Sequence, residues 1–250
     1  MMKMYILFIL VSIHFQIISS AQIPDIRWEK TYGGSGDDIL LDITQDSNDG
    51  FITCGISDSK DGDVTGTHDN GDAWIAKITA NGKLQWQKSY GGSIYDGGTS
   101  VQKTVDRGYI IAGYTFSNDG DILFNHGNSD FWIIKVDSDG KMEWNKTLGG
   151  SGYEDAFSIQ QTNDGGYITT GYSNSVDGDV TGNHGDYDYW VVKLNSFGNI
   201  QWQKSFGGSG FDFPNSIKQT TDGGYIIAGL SSSTDGDISD HHDDRNALYN

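Results

Sequence analysis

Beyond the first two dozen residues, hydrophobic and polar positions fall into short runs with the period of strands, and no stretch carries the apolar spacing of an amphipathic helix. The clearest unit lies between residues 158 and 205. Ser158-Ile159-Gln160-Gln161-Thr162 and Tyr167-Ile168-Thr169-Thr170-Gly171-Tyr172 are rich in β-formers, and Asn163-Asp164-Gly165-Gly166 between them has the composition of a hairpin turn. Tyr189-Trp190-Val191-Val192-Lys193-Leu194 is apolar on both faces, as a strand covered above and below should be. Asn195-Ser196-Phe197-Gly198 turns it into Ile200-Gln201-Trp202-Gln203-Lys204-Ser205, where apolar and polar residues alternate. The unit reads as four antiparallel strands.

This unit recurs every 58 residues without a slip of register. Trp28, Trp86, Trp144 and Trp202 are each followed two residues on by Lys30, Lys88, Lys146 and Lys204, and then by Gly-Gly-Ser at 33–35, 91–93, 149–151 and 207–209. Asp-Gly-Asp stands at 61–63, 119–121, 177–179 and 235–237, with His68, His126, His184 and His242 each seven residues after the first Asp. Trp74, Trp132 and Trp190, each with Lys three residues on, complete the pattern, and Leu248 takes the Trp place in the last unit.

Four strands per unit, repeated without helices, predict an all-β fold: a β-propeller built from four-stranded antiparallel blades, because each sheet can bury its faces only against its neighbours. A β-solenoid is the rival, but solenoid coils are generally shorter and lack successive hairpins. The units are 28–85, 86–143, 144–201 and a truncated 202–250. Residues 26–34 supply only a fourth strand, and 213–250 a first, a second and the start of a third. Joined, the two ends make one composite blade and a four-bladed ring without open edges. The divergent ending from Asp243 to Asn250 suits instead a fragment of a larger array.

Composition adds a compartment. Lys3, an apolar run from Tyr5 to Ile18 and the small residues Ser19, Ser20 and Ala21 read as a signal peptide over 1–21, leaving a repeat domain over 22–250. The expected destination is extracellular, secreted or at the cell surface, with the periplasm as the other exported compartment. No later apolar run has membrane length, so no membrane insertion is expected after cleavage. The formal charge of −18 becomes one unit more negative once Lys3 leaves, which argues against binding to nucleic-acid backbones or anionic membrane surfaces and suits solubility or cation binding. Cys54 is the only cysteine, so no intramolecular disulfide is available, and a lone thiol in a strand reads as an apolar packer.

The combination of Gly-Gly-Ser-Gly, Asp-Gly-Gly-Tyr-Ile, Asp-Gly-Asp-Val-Thr-Gly-Asn-His and Asp-Tyr-Trp-Val-Val-Lys within residues 144–204 resembles the repeat of secreted Bacteroidota proteins. The resemblance covers nearly all of the chain after residue 21. It implies a propeller-like fold, export, and a binding or structural role with no assigned chemistry. Proteins of that kind often carry a C-terminal type IX secretion sorting domain, which these residues do not include.

Each repeated motif has a chemical reading beside a structural one. Asp61, Asp63, Asp119, Asp121, Asp177, Asp179, Asp235 and Asp237 cluster carboxylates on Gly-containing turns, which calcium favours. No Glu closes the loop as in an EF-hand, and Asp and Gly also make turns unaided through side-chain to backbone bonds. The four histidines would make a transition-metal ring only if their loops face a common axis; the alternative is a bond within each loop. The tryptophans, on strands, read as packing between blades. Tyr95, Tyr153 and Phe211 are the aromatics placed for ligand contact.

Catalysis needs an asymmetric set of groups, and the residues that break the repeat are Cys54, Arg107, Glu154, Pro214 and Arg245, scattered over different repeat positions. They suggest no nucleophile, base and orienter together. The expectation is a non-catalytic extracellular binding or structural module, with calcium as the one candidate cofactor and a glycan or protein as ligand. The alternative is a carbohydrate-active enzyme or an accessory module of one. Self-association through an open blade edge is a further expectation.

Overall fold

The computed structural model describes residues 25–239, which form strands and loops with no helix. The signal peptide at 1–21, and His242, Arg245 and Leu248, lie outside the described residues. The first sheet runs β1 (Asp38–Gln45), β2 (Phe51–Ser57), β3 (Asp72–Ile78), β4 (Leu84–Tyr90). The second is β5 (Asp96–Lys103), β6 (Tyr109–Thr115), β7 (Asp130–Val136), β8 (Met142–Leu148), and the third β9 (Glu154–Gln161), β10 (Tyr167–Ser173), β11 (Asp188–Leu194), β12 (Ile200–Phe206). β13 (Asp212–Gln219) and β14 (Tyr225–Ser231) form a fourth sheet of two strands. Each sheet is an antiparallel meander in chain order, so the architecture is all-β in four sheets.

The strands divide the work as their patterns predict. β7, Asp-Phe-Trp-Ile-Ile-Lys-Val, is buried at every position, whereas the last strands β4, β8 and β12 are mostly half-exposed. The apolar core lies between sheets. Ile52 and Cys54 of the first sheet meet Val101 and Ile111 of the second. Ile110 and Ala112 meet Ala156 and Ile159 of the third, and Ile168 and Val191 meet Ile217 of the fourth. A smaller cluster, Val64, Trp74 and Ala76 with Leu84, lies within the first sheet and its loop and is joined by Tyr32.

Every first strand carries a bulge at the same repeat position, shifting register between Leu40 and Asp42, Gly98 and Ser100, Ala156 and Ser158, and Pro214 and Ser216. The residue after the bulge ties one sheet to the next. Asp42 Oδ2 accepts from Val101 N–H at 2.8 Å, Ser100 Oγ from Ile159 N–H at 3.4 Å, and Ser158 Oγ from Ile217 N–H at 3.2 Å. Opposite each bulge stands a glycine with no room for a side chain. A Cβ on Gly113 would fall 1.8 Å from the Gly97 carbonyl oxygen, and one on Gly171 1.9 Å from that of Asp155.

The third strand of the expected composite sheet, which residues 26–34 would pair with as the fourth, lies outside the described residues. Residues 26–34 lie along the first sheet: Trp28 Nε1–H donates to Ala80 O at 2.9 Å and the Tyr32 hydroxyl to Gly82 O at 2.8 Å. Trp86 makes the same contact one sheet on, donating to Ser138 O at 3.1 Å. Residues 28–32 thus occupy, against the first sheet, the place that a preceding sheet's last strand would take.

Two faces are left uncovered. Ile43 is 59 % exposed although its counterparts Ile159 and Ile217 are fully buried, and Ile226 is 62 % exposed where Ile52, Ile110 and Ile168 are fully buried. Overpacking a backbone contact is costly, so Gly113→Ala is expected to lower unfolding free energy by about 3 kcal/mol. Gly165→Ala, at φ +81° with open space around it, should cost about 1 kcal/mol. Urea denaturation of the two variants measures the difference.

Candidate functional site

The repeated loops gather where one sheet hands over to the next. The Gly-Gly-Ser segment is the linker from a last strand to the following first strand, and the Asp-Gly-Asp loop joins the second strand of that following sheet to its third. The two are bonded to each other. The first Asp of each loop, Asp61, Asp119, Asp177 or Asp235, accepts from the N–H of Ser35, Ser93, Ser151 or Ser209, at 2.7 Å in every copy. The second, Asp63, Asp121, Asp179 or Asp237, accepts from Gly33, Gly91, Gly149 or Gly207 at 3.2–3.4 Å. The same Asp residues return a backbone bond to the glycine carbonyl at 2.8–2.9 Å. The loop glycine has positive φ, and a Cβ on Gly178 would fall 2.4 Å from Gly149 O.

These bonds account for Asp-Gly-Asp as a clasp on the linker. The backbone N–H groups of Ser93, Ser151 and Ser209 hold the Asp119, Asp177 and Asp235 carboxyls below the usual carboxylate range. The eight candidate calcium ligands therefore each spend one oxygen on backbone. Among the described residues no group of three or more acidic, His or Cys side chains is placed to hold a metal ion.

Two further sets of carboxylates, of which the sequence singled out only Glu154, complete the handover. The first residue of each first strand, Asp38, Asp96, Glu154 or Asp212, accepts from the linker's second glycine at 2.7–2.9 Å. It also accepts from a hydroxyl two residues before the loop, such as Ser117 Oγ at 2.8 Å on Asp96. Glu154 breaks the repeat in identity only, since it makes the bonds that Asp96 makes. The third strands begin with buried Asp72, Asp130 and Asp188, whose Oδ2 atoms face Nδ1 of His68, His126 and His184 at 2.8, 2.5 and 2.7 Å. Each described histidine is therefore bound within its own loop. The Asp72 hydrogen bond holds His68 above its ordinary pKa, against the effect of burial.

The buried Lys after each Trp is also explained. Lys135 Nζ lies 3.0 Å from Asp106 and 2.8 Å from Glu143, and Lys193 Nζ 2.9 Å from Asp164. In the first sheet Asn48 stands in the place of these Asp residues, and Asp46 takes over, 3.2 Å from Lys77. Asp46 also accepts from the Tyr109 hydroxyl at 2.8 Å. At this exchange lies a pocket of about 540 Å³, lined by Asp46, Ser47, Asn48, Lys77, Arg107, Ser138 and Asp139. Arg107 sits there at φ +72°, where the later repeats have Gly165 and Gly223. A second cavity of about 280 Å³ is lined from all four first strands, by Leu41, Thr99, Phe157 and Asn215 among others, the four extra residues of the bulges.

The remaining candidates separate. Cys54 is fully buried in the core, and burial pushes its thiol well up. Trp74, Trp132 and Trp190 are fully buried, with Nε1–H bonded to Gln87, Asn145 and Gln203. Tyr95, Tyr153 and Phe211 are 40–46 % exposed and lie against neighbouring rings, Tyr95 stacked on Tyr114, Tyr153 edge-on to Phe116 and Phe211 stacked on Tyr187.

Burial pushes the Asp46 carboxyl up, but the Ser47 N–H, the Tyr109 hydroxyl and Lys77 outweigh it and hold the pKa below its ordinary value. A lowered carboxyl contributes stability above the unfolded pKa and loses it as pH falls through the folded one. Asp46→Asn should therefore cost about 1.5 kcal/mol at pH 7, the worth of a charged hydrogen bond. The gap from the unsubstituted protein should begin to narrow below about pH 4, the unfolded value, and close only as pH falls through the lower folded value; urea denaturation at pH 7 and across the acid range measures it.

No family model matches this chain, and no curated protein matches it. Among solved structures it is similar to the crystal structure of a protein of unknown function from Bacteroides caccae, at 11 % identity and a TM-score of 0.46. That match covers 80 % of this chain and 56 % of the other, so the chain spans little more than half the length of the protein it matches.

Proposed function

We propose that this protein is a non-catalytic extracellular repeat scaffold, its sheets set as successive blades of a propeller-like array that presents a binding surface to a glycan or protein. The observation that carries this reading is the sameness of the handovers. All three inter-sheet junctions use the same clasp, the same bulge tie and the same buried tryptophans, which is what a scaffold requires and what an active site, asymmetric by nature, does not. Among the described residues, those that the sequence singled out as breaking the repeat do not converge. Cys54 is in the core, Glu154 does the work of Asp96, Pro214 lies at a bulge, and Arg107 lines the pocket beside Lys77 and Asp46.

The row of half-exposed rings at Tyr95, Tyr153 and Phe211 supplies flat apolar faces of the kind sugars stack on. On a glycan array the protein is expected to bind without turnover, and Tyr153→Ala to weaken that binding while the melting curve stays within a few degrees. Hydrolysis of any glycan, lost on substituting one carboxylate, would overturn the non-catalytic reading.

A second reading, self-association, is favoured by the two uncovered faces. β14 presents Ile226 in the position from which Ile52, Ile110 and Ile168 reach the next sheet, and β1 presents Ile43 in the position at which Val101, Ile159 and Ile217 receive it. The two faces repeat the two halves of the internal junction, so a second copy fits head to tail. Light scattering should give a mass that rises above monomer with concentration, and Ile43→Lys should return it to monomer. A wild-type protein that stays monomeric at high concentration overturns this reading.

A further inference from the structure

The hairpin end of the first junction departs from its repeat, and the departures meet. The clasps hold one end of the sheets, and the turns β1–β2, β5–β6 and β7–β8 lie at the other. Asp46 stands where the later sheets have Thr104, Thr162 and Thr220, and Asn48 where they have Asp106, Asp164 and Asp222. Arg107 takes the place of Gly165 and Gly223, and Asp139 that of Asn81 and Phe197. All four line the cavity of about 540 Å³, which spans turns of the first and second sheets. Its volume falls among those of small-molecule sites, roughly 300–1,000 Å³.

These exchanges leave hydrogen-bonding groups unspent. Lys135 Nζ reaches two carboxylates, Asp106 and Glu143, whereas Lys77 reaches Asp46 alone, and its side chain is 13 % exposed against 2 % for Lys135. Asn48 and Gln85 stand where those two carboxylates would be. Among the described residues no ion pair or side-chain hydrogen bond engages the Arg107 guanidinium, the Asn48 amide or the Asp139 carboxylate. Arg107 is also held at φ +72°, a conformation that Gly165 and Gly223 adopt without a side-chain penalty. Asp49 has φ +58° at the same place in the first sheet, but aspartate tolerates the left-handed region and arginine does so poorly. Backbone strain kept under an exposed, unbonded side chain is the kind that binding sites retain.

We propose that this cavity binds a neutral hexose unit of a glycan. Its wall carries two carboxylates, Asp46 and Asp139, and two cations, Lys77 and Arg107, so an anionic or a cationic ligand meets like charge on either count. A sugar hydroxyl carries no charge and both donates and accepts. Arg107 and Lys77 donate to hydroxyl oxygens, Asp139 accepts from hydroxyls, and the Asn48 amide does both. Asp46 is buried and already held by Lys77 and the Tyr109 hydroxyl, so it forms the floor and is not free to act as an acid or base. This inference rests on the reading of the protein as a glycan-binding scaffold. It adds a contact at the end of the sheets opposite the row of Tyr95, Tyr153 and Phe211.

The test uses two variants that restore residues the repeat itself employs, so neither threatens the fold. Asn48→Asp gives Lys77 the partner that Lys135 and Lys193 have, and Arg107→Gly relieves the turn. Isothermal titration of the full chain with glucose, galactose and mannose, each beside its uronate and its amino sugar, reads the binding. At least one neutral hexose is expected to bind, and its charged counterparts more weakly. Each variant should lose about tenfold in affinity, the worth of a charged hydrogen bond, while its melting temperature holds or rises. No hexose binding at high millimolar concentration overturns the proposal, as does binding that both variants retain or a preference for a charged counterpart. On a glycan array, binding weakened by Tyr153→Ala but untouched by both pocket variants sinks this inference alone. An array on which nothing binds sinks the glycan-binding reading with it.

Discussion

The contact on which the molecule depends is that of one sheet with the next. A four-stranded meander of this width cannot cover its own faces, and its third strand, apolar on both sides, would be insoluble alone. Ile52 and Cys54 find their cover in Val101 and Ile111, Ile110 and Ala112 find theirs in Ala156 and Ile159, and the series continues to Ile217. Everything else in the repeat serves to hold those faces at a fixed distance and angle. The bulge bends the first strand so that its next side chain reaches the following sheet's backbone, and the facing glycine lets the two strands of the hairpin close over the bend.

The polar motifs extend the same logic to the chain end of each sheet. A linker of small residues would be free to let successive sheets drift. Fastened by two carboxylates of the Asp-Gly-Asp loop and one from the first strand, it is fixed by three side-chain acceptors over three residues. Each satisfies a backbone N–H that would otherwise be left without a partner. Because the acceptors come from the sheet that the linker enters, the linker can be placed only when that sheet has formed.

Much of this was legible in the sequence. The 58-residue period, four strands to a unit, the hairpin at 163–166 and the doubly covered strand around Trp190 follow from composition and alternation alone, and the structure has them where the pattern puts them. What the sequence did not disclose is who bonds to whom. Gly-Gly-Ser and Asp-Gly-Asp stand 26–30 residues apart, and nothing in either motif names the other as partner. Asp72, Asp130 and Asp188 were visible only as the polar start of an apolar strand, although the regular spacing of four residues from each histidine was a signal available to be read. Glu154 looked like an exception because it differs in identity, yet one extra methylene leaves its oxygens on the same donors. Residues 26–34 were legible as the last strand of a unit, and the turn at Gly82 receives Trp28 as the turn at Gly140 receives Trp86.

The uncovered rows on β1 and β14 follow from the same periodicity. In a repeat, each interface has a giving face and a receiving face, and a linear series leaves one of each at its ends. Natural sheets protect such ends by charge, by bulges or by cover. Here the first strand keeps its bulge and an aspartate at position 42, but it also carries Ile39, Leu40, Leu41 and Ile43 at 40–59 % exposure, where the second sheet's first strand carries Gly97, Gly98, Thr99 and Val101. The third sheet carries Asp155, Ala156, Phe157 and Ile159 at those places and the fourth Phe213, Pro214, Asn215 and Ile217, so of the four first strands β1 alone has an aliphatic side chain at every one. The departure of β1 from its own repeat is therefore in the direction of more apolar contact, opposite to the change that would protect an edge meant to stay in water.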